Sequence, residues 1–79
     1  MNELSRSILN IMESTPLGKM SIYVLRKQSA DAGIDLEMMC PGDLPALVEK
    51  FRVVLPFFLG EQSKRVVSEI KKLGVNGGD

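Results

Sequence analysis

Apolar residues recur along most of the chain at intervals of three and four, the spacing that places side chains on one face of an α-helix. The first such stretch predicts a helix over 3–13, whose apolar face contains Leu4, Ile8, Ile11 and Met12. Thr15 and Pro16 predict that a second helix, over 16–32, follows at once, because threonine caps helices and proline fits their first turn. Its apolar face is expected to contain Leu17, Met20, Tyr23 and Val24.

Two glycines are expected to end helices. Gly33 should end the second helix, since glycine adopts a positive φ without strain, and Ile34 supplies the apolar contact that accompanies this ending. Gly74 is expected to end a fourth helix, predicted over 60–73, in the same way. The residues predicted to be buried on that helix are Ser63, Val66, Val67, Ile70 and Leu73.

The third apolar stretch is the most regular in the chain, and Asp43 is its expected N-cap. Its repeating positions are spaced as in a bundle or coiled-coil seam, and they are Leu44, Leu47, Val48, Phe51, Val54, Leu55 and Phe58. Pro56 lacks the N–H of one helical hydrogen bond and crowds the preceding turn, so a bend or an end is predicted between 55 and 60.

These elements predict an all-α fold for a single domain over 1–79, with a flexible tail over 76–79. The expected architecture is a small four-helix bundle built from two helical hairpins, in which helix 3 is kinked or broken near Pro56.

One short phrase occurs twice, as Leu17-Gly18-x-x-Ser21 and as Leu59-Gly60-x-x-Ser63. The match has two interpretations, an internal duplication of segments 4–35 and 46–76 and a coincidence, which is common for so short a repeat. Small residues three apart let another helix pack close to the backbone. The phrase is therefore interpreted as a packing feature, and Gly18 and Gly60 are predicted to occupy equivalent corners.

Charge and composition narrow the classes of function. Ten basic and ten acidic residues give a formal net charge of zero, which disfavours a general role on nucleic acids or membrane surfaces. The longest apolar run, 53–59, is much shorter than the ~20 residues that span a bilayer. With one cysteine and no signal-peptide pattern in the first residues, a cytoplasmic location is expected.

Residues that could carry chemistry are few. The chain has no histidine, which excludes Ser-His and Cys-His nucleophile pairs and removes the commonest metal ligand. Cys40 has acidic neighbours in Glu37 and Asp43, whereas a reactive thiol needs nearby cations or a helix N-terminus. No catalytic, cofactor or metal site is predicted.

Two surfaces carry the functional hypotheses. The run around 53–59 is apolar on nearly all sides of a helix, which predicts a dimer or partner interface formed by Phe51, Val54, Leu55, Phe57, Phe58 and Leu59. The alternative is that this run is the central element of the core.

The second surface is a basic face on the last helix that could meet phosphates or an acidic partner, and it is formed by Lys64, Arg65, Lys71 and Lys72. The alternative interpretation is that these residues only form the solvated face of the helix and bind no partner.

The favoured hypothesis is a non-enzymatic intracellular protein-interaction or regulatory module, which acts as a helical homodimer and binds a further protein. A core of 79 residues supplies only a few kcal/mol of net stability, so help from self-association is expected. The alternative is a small nucleic-acid-binding module that uses the basic face of the last helix.

Overall fold

The computed structural model describes residues 1–77, with side chains described as far as Gly74, and these residues form four α-helices without strands. The helices are α1 (Glu3–Glu13), α2 (Ser21–Asp31), α3 (Leu44–Leu59) and α4 (Gln62–Gly77), with short 3-10 turns at Gly18–Met20 and Pro41–Asp43. The predicted all-α, four-helix class is confirmed. The predicted tail, 76–79, extends into Gly78 and Asp79, which lie outside the described residues.

The helices pack in a ring, in which each one contacts the next along the chain and α4 closes against α1. The most extensive contact is between α3 and α4. Side chains from all four helices meet in one core, and the fully buried apolar ones are Ile8, Met12, Leu25, Leu47, Phe51, Leu55 and Ile70. The apolar periodicity of α1, α3 and α4 thus produces most of this core, but Phe58, the last position of the predicted α3 seam, is exposed.

The start of α1 is held by polar contacts that the sequence did not reveal. The Asn2 side-chain oxygen accepts a hydrogen bond from the backbone N–H of Ser5 (3.1 Å), as expected of an N-cap. The Asn2 amide group donates to the carbonyl of Met39 (2.7 Å), and the buried Ser5 hydroxyl donates to the carbonyl of Leu36 (2.7 Å). These bonds tie α1 to the connection between α2 and α3.

The second helix differs from the prediction in its start and in its buried face. A 3-10 turn over Gly18–Met20 comes first, and regular α-helix begins only at Ser21. Leu17 and Val24 are buried as predicted, but Met20 and Tyr23 are exposed. The α-helix starts from the corner at Gly18 and not from Pro16, so its core face contains Ser21, Val24, Leu25 and Ser29.

The predicted end at Gly33 is confirmed. Its φ is 72°, its N–H donates to the carbonyl of Ala30 (3.1 Å), and the N–H of Ile34 donates to the carbonyl of Ser29 (2.8 Å). This is the Schellman pattern, and Ile34 packs partly buried against the core.

The third helix continues through Pro56 and ends at Leu59, directly before Gly60 as predicted. Asp43 precedes the helix, but its side chain makes no capping bond to α3, which corrects its expected role as an N-cap. Its carboxylate instead accepts a hydrogen bond from the backbone N–H of Cys40 (3.1 Å) and so stabilises the 3-10 turn before α3.

The predicted end at Gly74 is wrong, because α4 continues to Gly77. A Cβ atom placed on Gly74 would lie 2.9 Å from Cδ1 of Leu44, whose side chain is buried at the start of α3. Gly74 is therefore a close-packing residue and not a helix stop. The predicted burial of Ser63, Val66, Val67 and Ile70 is confirmed, and Leu73 is half-buried.

The two corners that contain the repeated phrase share a positive φ at glycine and one backbone hydrogen bond. Gly18 and Gly60 have φ values of 49° and 57°. The N–H of Ser21 donates to the carbonyl of Gly18, and the N–H of Ser63 donates to that of Gly60. Both serines are buried, so the corners have these features in common, although Gly18 begins a 3-10 turn and Gly60 follows the end of α3. The duplication of 4–35 and 46–76 stays a prediction.

We expect Gly18→Ala and Gly60→Ala each to lower the free energy of unfolding by about 1–2 kcal/mol, since a side chain is strained at positive φ. The loss should be larger at Gly60, whose φ of 57° and ψ of −129° match a position of type II′ turns that glycine dominates. Urea denaturation measures both losses.

Gly42→Ala is the matched control. Gly42 is not in the positive-φ region, and an added Cβ would make an ordinary 3.8 Å contact with the Cys40 sulfur. Its stability should change by about 0.5 kcal/mol or less. Equal effects at all three glycines would contradict the role given to the corners.

Candidate functional site

The six residues predicted to form an interface fall into two groups. Phe51, Leu55 and Leu59 are buried within the single chain, where they face the other helices. These three residues belong to the core, which is the alternative that the sequence left open. Val54 is half-buried, whereas Phe58 is exposed and Phe57 is 86% exposed. Only these last three could contact another molecule without unfolding the core.

Two further apolar residues lie at this surface and were not included in the prediction. Val53 precedes Phe57 by one helical turn on α3 and is 70% exposed, and Tyr23 on α2 is 63% exposed. Tyr23, Val54 and Phe58 together line a shallow groove of about 260 Å³ between α2 and α3. We name the surface formed by Tyr23, Val53, Val54, Phe57 and Phe58 the apolar patch.

The sequence held part of the signal for this patch. Val53 belongs to the apolar run on which the interface prediction rested. Knowing which face of α3 is exposed would have added it to the predicted interface. Tyr23 was assigned to the buried face of the second helix, and its exposure follows from the corner at Gly18. The composition of the patch therefore depends on which face of α2 and which face of α3 are exposed.

The four predicted basic residues are all exposed, but they do not line one common surface. Lys64 and Lys71 line a groove between α3 and α4, together with Arg52 of α3. Arg65 lines a different depression, next to Thr15 and the carboxylate-bearing Glu69. Lys72 is exposed on the same helix, and neither of these hollows includes it. The sequence-based prediction did not include Arg52, because residue spacing within one helix does not show which residues of another helix pack beside it.

Candidate chemical groups are sparse among the described residues. They include no cluster of three or more His, Cys, Asp or Glu side chains arranged to hold a metal ion. The exposed Cys40 thiol lies 3.6 Å from a carboxylate oxygen of Asp43.

Within the described part of the chain, every helix is too short or too polar to cross a lipid bilayer.

The division between core and patch predicts opposite effects on stability. Leu55→Ala should lower the free energy of unfolding by about 2–5 kcal/mol, because it leaves a cavity in the core. Phe57→Ala should change it by about 0.5 kcal/mol or less, since the exposed ring loses little contact within the chain. Urea denaturation at a protein concentration low enough for a monomer tests both. A large loss for Phe57→Ala would show that its ring is buried.

Comparison with known protein families, with curated proteins and with solved structures finds no match for this chain. A function can therefore be inferred only from the surfaces that the fold presents.

Proposed function

We propose that this protein is a non-enzymatic, intracellular interaction or regulatory module that acts as a homodimer, with the apolar patch as its contact surface. The observation that carries the proposal is the exposure of Phe57, in a helix whose opposite face forms the core. Phe57 lies beside Val53 and Phe58, so the exposed apolar surface is continuous along the second half of α3.

Covering this patch would be energetically favourable. Fully removing one aromatic or large aliphatic side chain from water contributes about 1.5–3 kcal/mol, which offsets part of the cost of association. Contiguous apolar surface that a monomer leaves exposed commonly marks a protein contact, and buried aromatic residues are enriched at the centres of such contacts. Phe57 and Phe58 fit the role of central anchors.

A second copy of the chain is the partner that fits best. The formal net charge of zero means that two copies do not repel each other at long range. A two-fold axis would place α3 against its own equivalent, so that Val53 and Phe57 of one copy meet those of the other. A standard interface of about 800 Å² per partner is roughly one-sixth of the chain's 4909 Å² surface. Such an interface would extend beyond the patch to neighbours such as Met20.

The intracellular, cytoplasmic part of the proposal is supported by Cys40. It is the single cysteine of the chain, so the fold contains no internal disulfide of the kind that oxidising compartments favour.

We expect sedimentation velocity to show a dimer for the natural sequence at tens of micromolar and a monomer for Phe57→Glu, since a carboxylate cannot be buried unpaired in an apolar contact. The monomeric variant should keep its helical circular dichroism, because Phe57 lies outside the core. Met38→Glu is the control. Met38 is exposed in the connection between α2 and α3, outside the patch, so this variant should remain dimeric. A dimer that survives Phe57→Glu would contradict the proposed interface.

Nucleic-acid binding is the second candidate, and the exposure of Lys64, Arg65, Lys71 and Lys72 on α4 favours it. Two acidic side chains, Glu69 on the same helix and Glu61 directly before it, weaken the positive potential there.

The protein should show no salt-dependent binding to mixed DNA or RNA at about 50 mM salt, a condition that strengthens phosphate contacts. Fluorescence anisotropy with labelled oligonucleotides measures this. Tight binding that disappears when the four basic residues are changed to alanine would support the second candidate instead.

A further inference from the structure

A second surface lies on the other flank of α3, where α3 and α4 enclose a groove. Two adjoining hollows, of about 440 and 530 Å³, share Arg52 and Lys71 as lining residues. The buried side chain of Val67 lines the first hollow and that of Val48 lines the second. Gly74, which lies against Leu44, also lines the second. The groove therefore combines an apolar floor with open space.

Positive charge surrounds this groove. Lys64 and Lys71 stand on the α4 wall, and Arg52 stands on the α3 wall. Glu49 is the acidic residue among those that line the hollows, and its carboxylate lies 4.0 Å from Arg52 at the exposed rim. Lys64 also pairs with Glu61, directly before α4 (3.5 Å), so three cations outnumber two carboxylates around the groove, in a chain whose total charge is zero. A ligand with an apolar face and acidic margins is complementary to this arrangement.

The cations on α4 span a length that corresponds to about two turns of a helix. Lys64 and Lys71 are two helical turns apart, which corresponds to about 10 Å along α4 at 1.5 Å per residue. A helix that lies between α3 and α4 can place apolar side chains at intervals of three and four on the floor, as in known helix-in-groove complexes. Carboxylates on its two margins would then reach the cations on both walls.

We propose that the α3–α4 groove binds an acidic amphipathic helix of a partner protein. The inference rests on the proposed role as an interaction module but does not require the homodimer, because α3 separates the groove from the apolar patch. The apolar floor distinguishes this partner from a nucleic acid, whose phosphates would need only the cations.

Two charge-reversal pairs on α4 test the proposal. Lys64→Glu with Lys71→Glu reverses charge at the groove. Arg65→Glu with Lys72→Glu makes the same change of net charge on the same helix, away from the groove. All four side chains are exposed, so both variants should keep the circular dichroism of the natural sequence.

The probe is a display library of random 16-residue peptides, selected against the full chain. The enriched peptides should be acidic, with apolar residues at intervals of three and four. Their dissociation constants, measured by fluorescence anisotropy, should rise about ten-fold or more in the groove pair, because two charge contacts become repulsive. In the control pair, the constants should rise about three-fold or less, since screened charges outside the groove contribute little.

The other outcomes overturn the proposal. They are the absence of any enriched peptide, the enrichment of neutral or basic peptides, and equal weakening in both pairs, which would indicate general attraction to a basic helix. The monomeric Phe57→Glu variant should still bind the enriched peptides. Loss of the dimer and loss of peptide binding in the groove are thereby measured separately.

Discussion

The packing of α4 against α3 is the contact on which the rest of the structure depends. Gly60 reverses the chain at one end of the pair, with a backbone conformation that side chains disfavour. Gly74 lets the helices approach closely at the other end, against Leu44. Between these points Phe51, Leu55 and Ile70 are fully buried. Because this pair is fixed at both ends, α1 and α2 complete a core whose position is already set.

This contact also decides which surfaces the chain presents. Once Phe51 and Leu55 face the core, the helical repeat directs Val53 and Phe57 to solvent. On the α4 side, the same packing brings Arg52 to a groove with Lys64 and Lys71. An apolar patch and a cation-lined groove are thus placed on opposite flanks of one helix. A chain with both surfaces could join a second copy on one side and a different protein on the other.

Much of the fold follows from local patterns. The helices, the end at Gly33 and the corners at Gly18 and Gly60 depend on spacing and on glycine conformation, which neighbouring residues determine. The misassigned residues depend on contacts between distant segments. Gly74 resembles a helix stop in sequence, and only the nearness of Leu44 shows its packing role. The bonds from Asn2 and Ser5 to the α2–α3 connection likewise join residues more than thirty positions apart.

The candidate site was predictable to a smaller extent, because exposure depends on helix register. A run as apolar as 53–59 indicates a core or an interface, but its spacing does not say which residue faces which way. The 3-10 turn before α2 shifts Tyr23 from the expected core to the surface, next to Phe58. Arg52 reaches the groove only because two helices pack. Which residues of different helices come together is decided by the tertiary structure.

The central claim is that the exposed face of α3 is a contact between two copies of this chain. Isotope-filtered nuclear Overhauser spectroscopy on a mixture of labelled and unlabelled protein tests it most directly, since only contacts between copies give a signal. We expect intermolecular signals between the methyl groups of Val53 and the rings of Phe57 and Phe58. Intermolecular signals confined to other helices, or none at millimolar concentration, would contradict it.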